Sequence, residues 1–513
     1  MNQNKNQINA EDSAQKIKTG FLASAGNIVS RIFSFLSGLI VARAIGPNNY
    51  GLFVLCRNLC QTGCIFSKSG FDLSLIRKIR ENKDNALLQS SYITSALYIT
   101  GAISFSLVLL TWLWGSRYLA TNAYHYDQFI PVLNVMILLV PIFAVFQIFI
   151  GLNRAYFSVK QSIIAENLLQ PSSRLLLIII LFFFCSDLWA VILGTLLSYL
   201  LVSCYLIEET RKQITIHYFP PKQLPKINIS SFWRYSFMIA ITNSVGLLLT
   251  KMDSFMIGYF NGPEDIGKYA IVQLTVPVIV IFNSSFNKLL GPTIAEFAAE
   301  NNHQGMAASI KQHGRWMAIG SFPLFLIFAA FGKDLLLVFG KDFSLPTATI
   351  TILAGGQLVT ALFSSSGFLL SLTNKYKFEF PILLTALLQN IILNYLLIPK
   401  FGIIGAAGAT LASLFTANII RLTIISKIYN FFIFDRWFFP PILVASLSIT
   451  LIIYIRFLLQ DSTIAGAYIF SAIYLITYLL LLNFIGLNQE DKEISKRITT
   501  YFRKKFTTRF TKA

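Results

Sequence analysis

The chain reads as an all-α polytopic membrane protein, and three observations lead there. Of its 513 residues, 55% are hydrophobic and 13% charged, with a mean hydropathy of +0.63. A soluble domain carries about 25% charged residues, so too few remain to clothe a water-facing surface. The apolar residues form long continuous runs rather than alternating, which selects helices over a membrane β-barrel. The basic residues behind the net charge of +19 lie mostly between those runs, a distribution that fits the positive-inside rule and not a nucleic-acid surface.

A window of about 20 apolar residues finds 14 spans, near 20–45, 50–70, 87–114, 129–151, 161–185, 187–208, 233–259, 268–291, 314–331, 346–372, 379–398, 403–426, 438–459 and 464–486. A polar N-tail, 1–19, precedes the first. That first run is too long for a signal-peptide core and lacks a clear cleavage site, so it is expected to stay in the membrane. A linker at 209–232, with Pro220, Pro221 and Pro225, separates six spans (20–208) from six more (233–426), followed by two additional spans within 427–487. The tail 488–513 is basic and amphipathic through Tyr501, Phe502, Phe506 and Phe510, which suits an anchor on anionic lipid.

With the N-terminus placed in the cytoplasm, 30 Lys and Arg fall on inner segments and 7 on outer ones. This bias puts both termini inside and requires an even number of spans. An internal repeat agrees. Leu39-Ile-Val-Ala-Arg-Ala-Ile-Gly46-Pro47-Asn-Asn-Tyr50-Gly51-Leu-Phe53 returns as Phe255-Met-Ile-Gly-Tyr-Phe-Asn-Gly262-Pro263-Glu-Asp-Ile266-Gly267-Lys-Tyr269, 216 residues later. Both copies fall at the outer turn between the first and second spans of their half. Two such halves related by an axis along the membrane normal are an arrangement of alternating-access transporters.

Several chemistries are excluded. Gly262-Pro-Glu-Asp-Ile-Gly267-Lys268 fits a phosphate-loop pattern, but Tyr269 replaces the Ser or Thr and no strand precedes it. Cys56, Cys60 and Cys64 form one helix stripe that reads as packing, and Cys185 and Cys204 lie in other apolar runs. His217, His303 and His313 lie in cytoplasmic segments and His125 in an outer loop, without clustered carboxylates, so neither a metal site nor a catalytic triad is expected. The connections are too short for a catalytic domain, so the chain is not expected to be an enzyme. The outer segments 117–128 and 332–345 are the longest on their side.

The informative residues are charges inside spans, where burial is costly and side chains face a cavity or a partner. They are Arg31, Arg57, Arg174, Lys251, Lys288 and the acid Asp253. Arg57 and Lys288 are near enough to an interface to snorkel instead. Five cations against one deep acid make a positive interior that suits a phosphate or pyrophosphate headgroup and disfavours a cationic drug. Lys251 and Asp253 project about 200° apart on a helix and do not pair directly. Asp253 responds to a coupling cation, a proton or sodium ion, or forms an ion pair with Arg31 or Arg174, or has no special role. Pro141, Pro171, Pro277 and Pro323 can kink their spans. The run Gly402-Ile-Ile-Gly405-Ala-Ala-Gly408-Ala-Thr-Leu-Ala412 suits close helix packing.

Three stretches carry a family resemblance: Arg31 to Phe53, Asp253 to Tyr269, and Ile398-Pro-Lys-Phe-Gly-Ile-Ile-Gly-Ala-Ala-Gly-Ala-Thr410. They resemble the opening, the seventh-span motif and the turn between spans eleven and twelve of Wzx-type oligosaccharide flippases. These belong to the polysaccharide biosynthesis transporters of the multidrug/oligosaccharidyl-lipid/polysaccharide (MOP) exporter superfamily. The resemblance implies two pseudo-symmetric bundles in a V around a central cavity, as in its drug-exporting (MATE) members. It also implies counter-ion coupling in a bacterial inner membrane. The cargo would be an undecaprenyl-pyrophosphate-linked repeat unit moved to the periplasmic leaflet for O-antigen, capsule or exopolysaccharide assembly, with a polysaccharide polymerase of the same pathway as a partner. On this reading Arg31, Arg174 and Lys251, with Arg57 and Lys288, bind the pyrophosphate and Asp253 couples the ion; no cofactor is required. A peptidoglycan-precursor flippase, a drug/cation antiporter and a membrane glycan polymerase or ligase are the alternatives.

Overall fold

The computed structural model describes residues 2–213 except 127, 157–158 and 186; 228–482 except 282, 301, 374 and 461–462; and 487–492 except 489–490. Side chains before Gly26 and that of Lys288 lie outside the described residues, as do most of the 209–232 linker, including its prolines, and the basic tail with its aromatic residues. Every regular element among the described residues is helical. Among the described residues, eleven helices are long and apolar enough to cross a membrane. The first holds two expected spans, and the seventh and eighth correspond to further helices, so each of the 14 predicted spans falls on helix among the described residues.

The main helices are α1 (Asn2–Lys68), α2 (Phe71–Glu81), α3 (Ala86–Leu110), α4 (Phe129–Met136), α5 (Leu139–Ala155), α6 (Gln170–Leu181), α7 (Asp187–Gln213), α8 (Ile229–Phe260) and α9 (Pro263–Thr275). They continue with α10 (Asn283–Ala299), α11 (His303–Leu336), α12 (Thr347–Leu362), α13 (Ser364–Leu372), α14 (Glu379–Phe401), α15 (Ile403–Tyr429), α16 (Phe439–Leu458) and α17 (Ile464–Leu481). Asparagine and threonine side chains start several of them. The N–H groups of Leu88, Ser231 and Gly305 donate to the side chains of Asn85, Asn228 and Asn302, and that of Gly466 to Thr463. Each cap satisfies a donor that the first helical turn leaves without a partner.

Proline and glycine place the breaks. The first two spans are two limbs of α1 joined at Gly46, whose φ of 72° a glycine adopts without a Cβ penalty, with Pro47 opening the second limb. Gly262, φ 115°, and Pro263 open α9 in the same way. Pro171 follows a π-helical stretch, Ala165–Leu169, and Pro277 lies in a 3₁₀ stretch, Val276–Val280, between α9 and α10. The break between α4 and α5 lies just before Pro141. Each of these three prolines lacks the N–H that a carbonyl one turn earlier needs. Pro323 is carried within α11.

Two expectations about connections are corrected. The outer segment 117–128 is largely helical, because Ser116–Leu119 and Ala120–Tyr124 continue α3. The segment before the ninth span is helical too: α11 begins at His303, so His303 and His313 lie on that helix.

The chain packs as two compact units. Met1–Thr275, Phe339–Leu345 and Phe380–Ser413 form one; Val276–Val338, Pro346–Glu379 and Leu414–Ala513 form the other. In the first, the cysteine stripe is buried and free of disulfides, as packing requires, and Cys60 Sγ donates to the Met136 carbonyl at 3.1 Å. The small-residue run lets α14 and α15 approach: a Cβ on Gly405 would overlap the Leu397 carbonyl, and Ala406, Ala407 and Ala409 are fully buried.

In the second unit, Ile327 and Phe331 of α11 pack with Val444, Ala445, Ile449 and Ile452 of α16 and with Ala467, Phe470, Tyr474 and Tyr478 of α17. The opposite face of α16 exposes Leu443, Leu447, Leu451, Tyr454 and Leu458. That outward stripe at helical spacing is what a lipid-facing span presents. Buried Arg315 binds Asp435 at 2.6 Å and Asp491 at 2.9 Å, and Trp316 Nε1 donates to Asp491 at 3.0 Å.

Candidate functional site

Three of the expected cations meet. Arg57, on the second limb of α1, lies within electrostatic reach of Arg174 on α6 and of Lys251 on α8. Tyr50 faces both arginines, and Tyr199 of α7 faces Arg174. The Phe343 ring holds Tyr50 edge-on at 6.2 Å. Arg174 is only 8% exposed. The Nε atoms of Arg57 and Arg174 are buried without a hydrogen-bond partner among the described residues. No carboxylate pairs with Arg57, Arg174 or Lys251 among those residues either. Grouped like charges out of water are unfavourable unless an anion joins them. The cluster therefore carries positive charge that no carboxylate among the described residues offsets.

Arg31 stands exposed on the first limb of α1, and Lys288 lies on α10 in the other unit. Glu166, the other acid near a span, is taken by Arg154 at 2.5 Å.

Asp253 sits elsewhere in the same unit, fully enclosed at 2% exposure. Its carboxylate accepts four hydrogen bonds from neutral side chains. Tyr269 Oη donates at 2.6 Å and Thr410 Oγ1 at 2.5 Å to one oxygen; Asn394 Nδ2 at 3.0 Å and Asn390 Nδ2 at 3.3 Å donate to the other. The ion pair with Arg31 or Arg174 weighed from the sequence is replaced by this neutral shell, and Lys251 does not pair with it. Asn394 also donates to Asn390 Oδ1, while its own Oδ1 is buried without a partner among the described residues.

Sequence reasoning missed Tyr50, Tyr199, Tyr269, Asn390, Asn394 and Thr410. One signal was present. Asn390 and Asn394 fall one turn apart in an otherwise apolar span, and polar side chains inside a span are costly without a purpose.

The two copies of the repeat meet in this unit. A Cβ on Gly51 would overlap the Pro263 carbonyl oxygen, and one on Gly267 would overlap that of Pro47. The two copies thus cross at their glycines, backbone against backbone. Arg57 follows Gly51 on one side of the crossing, and Tyr269 follows Gly267 on the other.

Comparison with known proteins shows the family and the fold. The family model "Polysaccharide biosynthesis protein" matches residues 17–298, more than half of the chain. An uncharacterized membrane protein of Methanocaldococcus jannaschii is 24% identical over 468 residues, 87% of this chain and 91% of that one. A Haloferax volcanii protein named "Probable low-salt glycan biosynthesis flippase" is 25% identical over 187 residues, 36% of this chain; the match spans only 40% of that relative's length. Among solved structures, the lipid II flippase MurJ in an inward closed conformation aligns at TM-score 0.74 and 15% identity, over 90% of this chain and 97% of that one. An inward-facing MATE transporter of the MOP superfamily aligns at 0.66 and 11%, over 78% and 94%. The chain has the fold of MOP-superfamily transporters and belongs to the polysaccharide biosynthesis protein family.

Proposed function

We propose that this protein is a flippase that carries an anionic lipid-linked oligosaccharide from the cytoplasmic to the outer leaflet by alternating access, with no covalent step. The observation that carries the reading is the group of Arg57, Arg174 and Lys251, buried or half-buried and without a carboxylate among the described residues. A pyrophosphate supplies the missing negative charge and accepts the arginine forks bidentately. The prenyl tail stays in the bilayer while the glycan passes on the protein side. The carrier is a polyprenyl pyrophosphate such as undecaprenyl pyrophosphate, and the pathway is surface polysaccharide assembly. The positive sign of the site counts against a drug/cation antiporter.

Asp253 is the coupling group in this reading. A single carboxylate ringed by Tyr269, Thr410, Asn390 and Asn394 supplies only oxygens once the two amides rotate to turn their carbonyls inward. Oxygen donors suit a hard cation rather than a transition metal, and one negative charge matches one monovalent ion. The partnerless Oδ1 of Asn394 fits such a ligand set. A bound sodium ion would screen the carboxylate and shift the balance between inward- and outward-open states; a proton on Asp253 would do the same.

The test is a deletion strain carrying wild type or R174A. Expected is an accumulation of lipid-linked single repeat units on the inner leaflet with R174A and none with wild type. Units that reach the outer face unpolymerised would instead mark a polymerase defect and overturn the flippase reading.

A further inference from the structure

A second cationic site lies in the same unit, apart from both groups above. Arg77 and Lys78 of α2, Tyr92 of α3, the cap residue Asn228, and Ser231, Phe232 and Tyr235 of α8 line an open cavity of about 220 Å³. That is smaller than the roughly 300–1,000 Å³ of sites for drug-sized ligands, and it accommodates a phosphate with its ester groups better than a sugar chain.

The fold builds this cavity deliberately. Gly70, φ 75°, lets α2 turn back against α8, where a Cβ would strike the Ser236 carbonyl, and Ser236 Oγ donates to Ser74 Oγ at 2.7 Å. The Phe232 ring packs on Phe71 at 5.1 Å and on Tyr92 at 5.0 Å, giving an apolar floor. Both cations are held over rings: Arg77 lies 5.1 Å from the centre of Tyr235 and Lys78 5.9 Å from that of Tyr92. Arg77 Nη1 also donates to Tyr235 Oη at 3.0 Å. Glu81 is shared between them, one oxygen to each at 2.6 and 2.8 Å. Asp72, the other acid of α2, is engaged by Lys68 at 2.7 Å. Two fixed cations therefore face one shared carboxylate, and a positive charge is left over beside an aromatic floor.

We propose that this cavity binds the phosphate of an anionic phospholipid. Cationic groups above and aromatic rings below match a charged head joined to an apolar body. Ile229 and Trp233, on the first turns of α8, are exposed apolar side chains at the same end, and Trp favours the headgroup level of a membrane. The basic-residue bias assigns this end to the cytoplasmic face, where anionic lipids attract Lys and Arg. The site is separate from the transport reading, since no residue of the Arg57 or Asp253 groups takes part.

Free inorganic phosphate shares the chemistry, so the test distinguishes the two. The full chain is purified in neutral detergent and titrated with phosphatidylglycerol or phosphatidylcholine, with retained lipid counted by native mass spectrometry. Wild type is expected to hold one phosphatidylglycerol in clear preference to phosphatidylcholine. R77Q/K78Q is expected to weaken that retention by about tenfold or more. S231E keeps both cations but sets a carboxylate on the rim at an exposed position, and should weaken it likewise, so the test survives if the double variant does not fold. Equal retention of the two lipids, or unchanged phosphatidylglycerol binding in S231E, overturns the proposal. Displacement of phosphatidylglycerol by an equal concentration of inorganic phosphate also overturns it, in favour of a free anion.

Discussion

Gly51 and Gly267 stand against each other, each closest to the backbone that opens the other's repeat. Neither position tolerates a Cβ without moving a helix, because the obstacle is a carbonyl oxygen rather than a flexible side chain. G51A and G267A are each expected to lower stability by about 1–3 kcal/mol, the usual cost of overpacking. G408A, at a position with open space around it, should be nearly neutral. Thermal unfolding of the purified variants checks this, and equal melting temperatures for all three would remove the crossing from the account.

Arg174 separates a binding group from a structural one by the sign of a stability change. Removing one partner of a buried ion pair destabilises by about 3–5 kcal/mol. A cation kept for a ligand leaves no bereaved partner. R174A is therefore expected to unfold at the wild-type temperature or above while export falls at least about tenfold, in line with losing a charge-assisted hydrogen bond of roughly 1.5–3 kcal/mol. R57A and K251A should act in the same direction. R174K should retain part of the activity, since the charge survives and the bidentate fork does not.

Asp253 predicts a loss of coupling without a loss of binding. In proteoliposomes, D253N should bind substrate but lose the dependence of transport on an imposed ion gradient. T410V and N394L should weaken it in the same assay, with sodium and proton gradients imposed separately to name the ion. Gradient dependence at the wild-type level in D253N would rule the coupling role out.

The Arg315–Asp435–Asp491 cluster ties the segment after α17 to α11 and to the turn before α16. D491A removes a carboxylate from buried Arg315 and the acceptor of Trp316 Nε1. It should cost about 3 kcal/mol, read as a lowered melting temperature with transport per folded molecule unchanged. A melting temperature equal to wild type would show that the cluster contributes little.

The charge bias fixes the topology test. Reporter fusions at Asn82, Gln223 and the C-terminus should report the cytoplasm, and fusions at Asn122 and Asp342 the outer side. An outer C-terminus would contradict the even span count.

What the sequence determined by itself is the part written locally. A run of about 20 apolar residues specifies a spanning helix wherever it occurs, so the 14 helical spans were legible. The Gly-Pro turns were legible too, since a positive φ followed by a fixed one needs those residues whatever surrounds them. Asp253 stood out because a carboxylate inside a span is rare. Only the tertiary structure decided what meets what. Thr410 and Asn394 reach Asp253 across 157 and 141 positions, and each is an ordinary helical residue until its neighbours are known. The same holds for Arg57, Arg174 and Lys251, which the sequence places on three spans without saying that they share one group while Arg31 stands exposed. Hydropathy is a property of one segment, whereas a site is a property of several segments packed together. The glycines of the repeat show the difference most directly: their spacing was readable, but their mutual contact required the backbones to be in place.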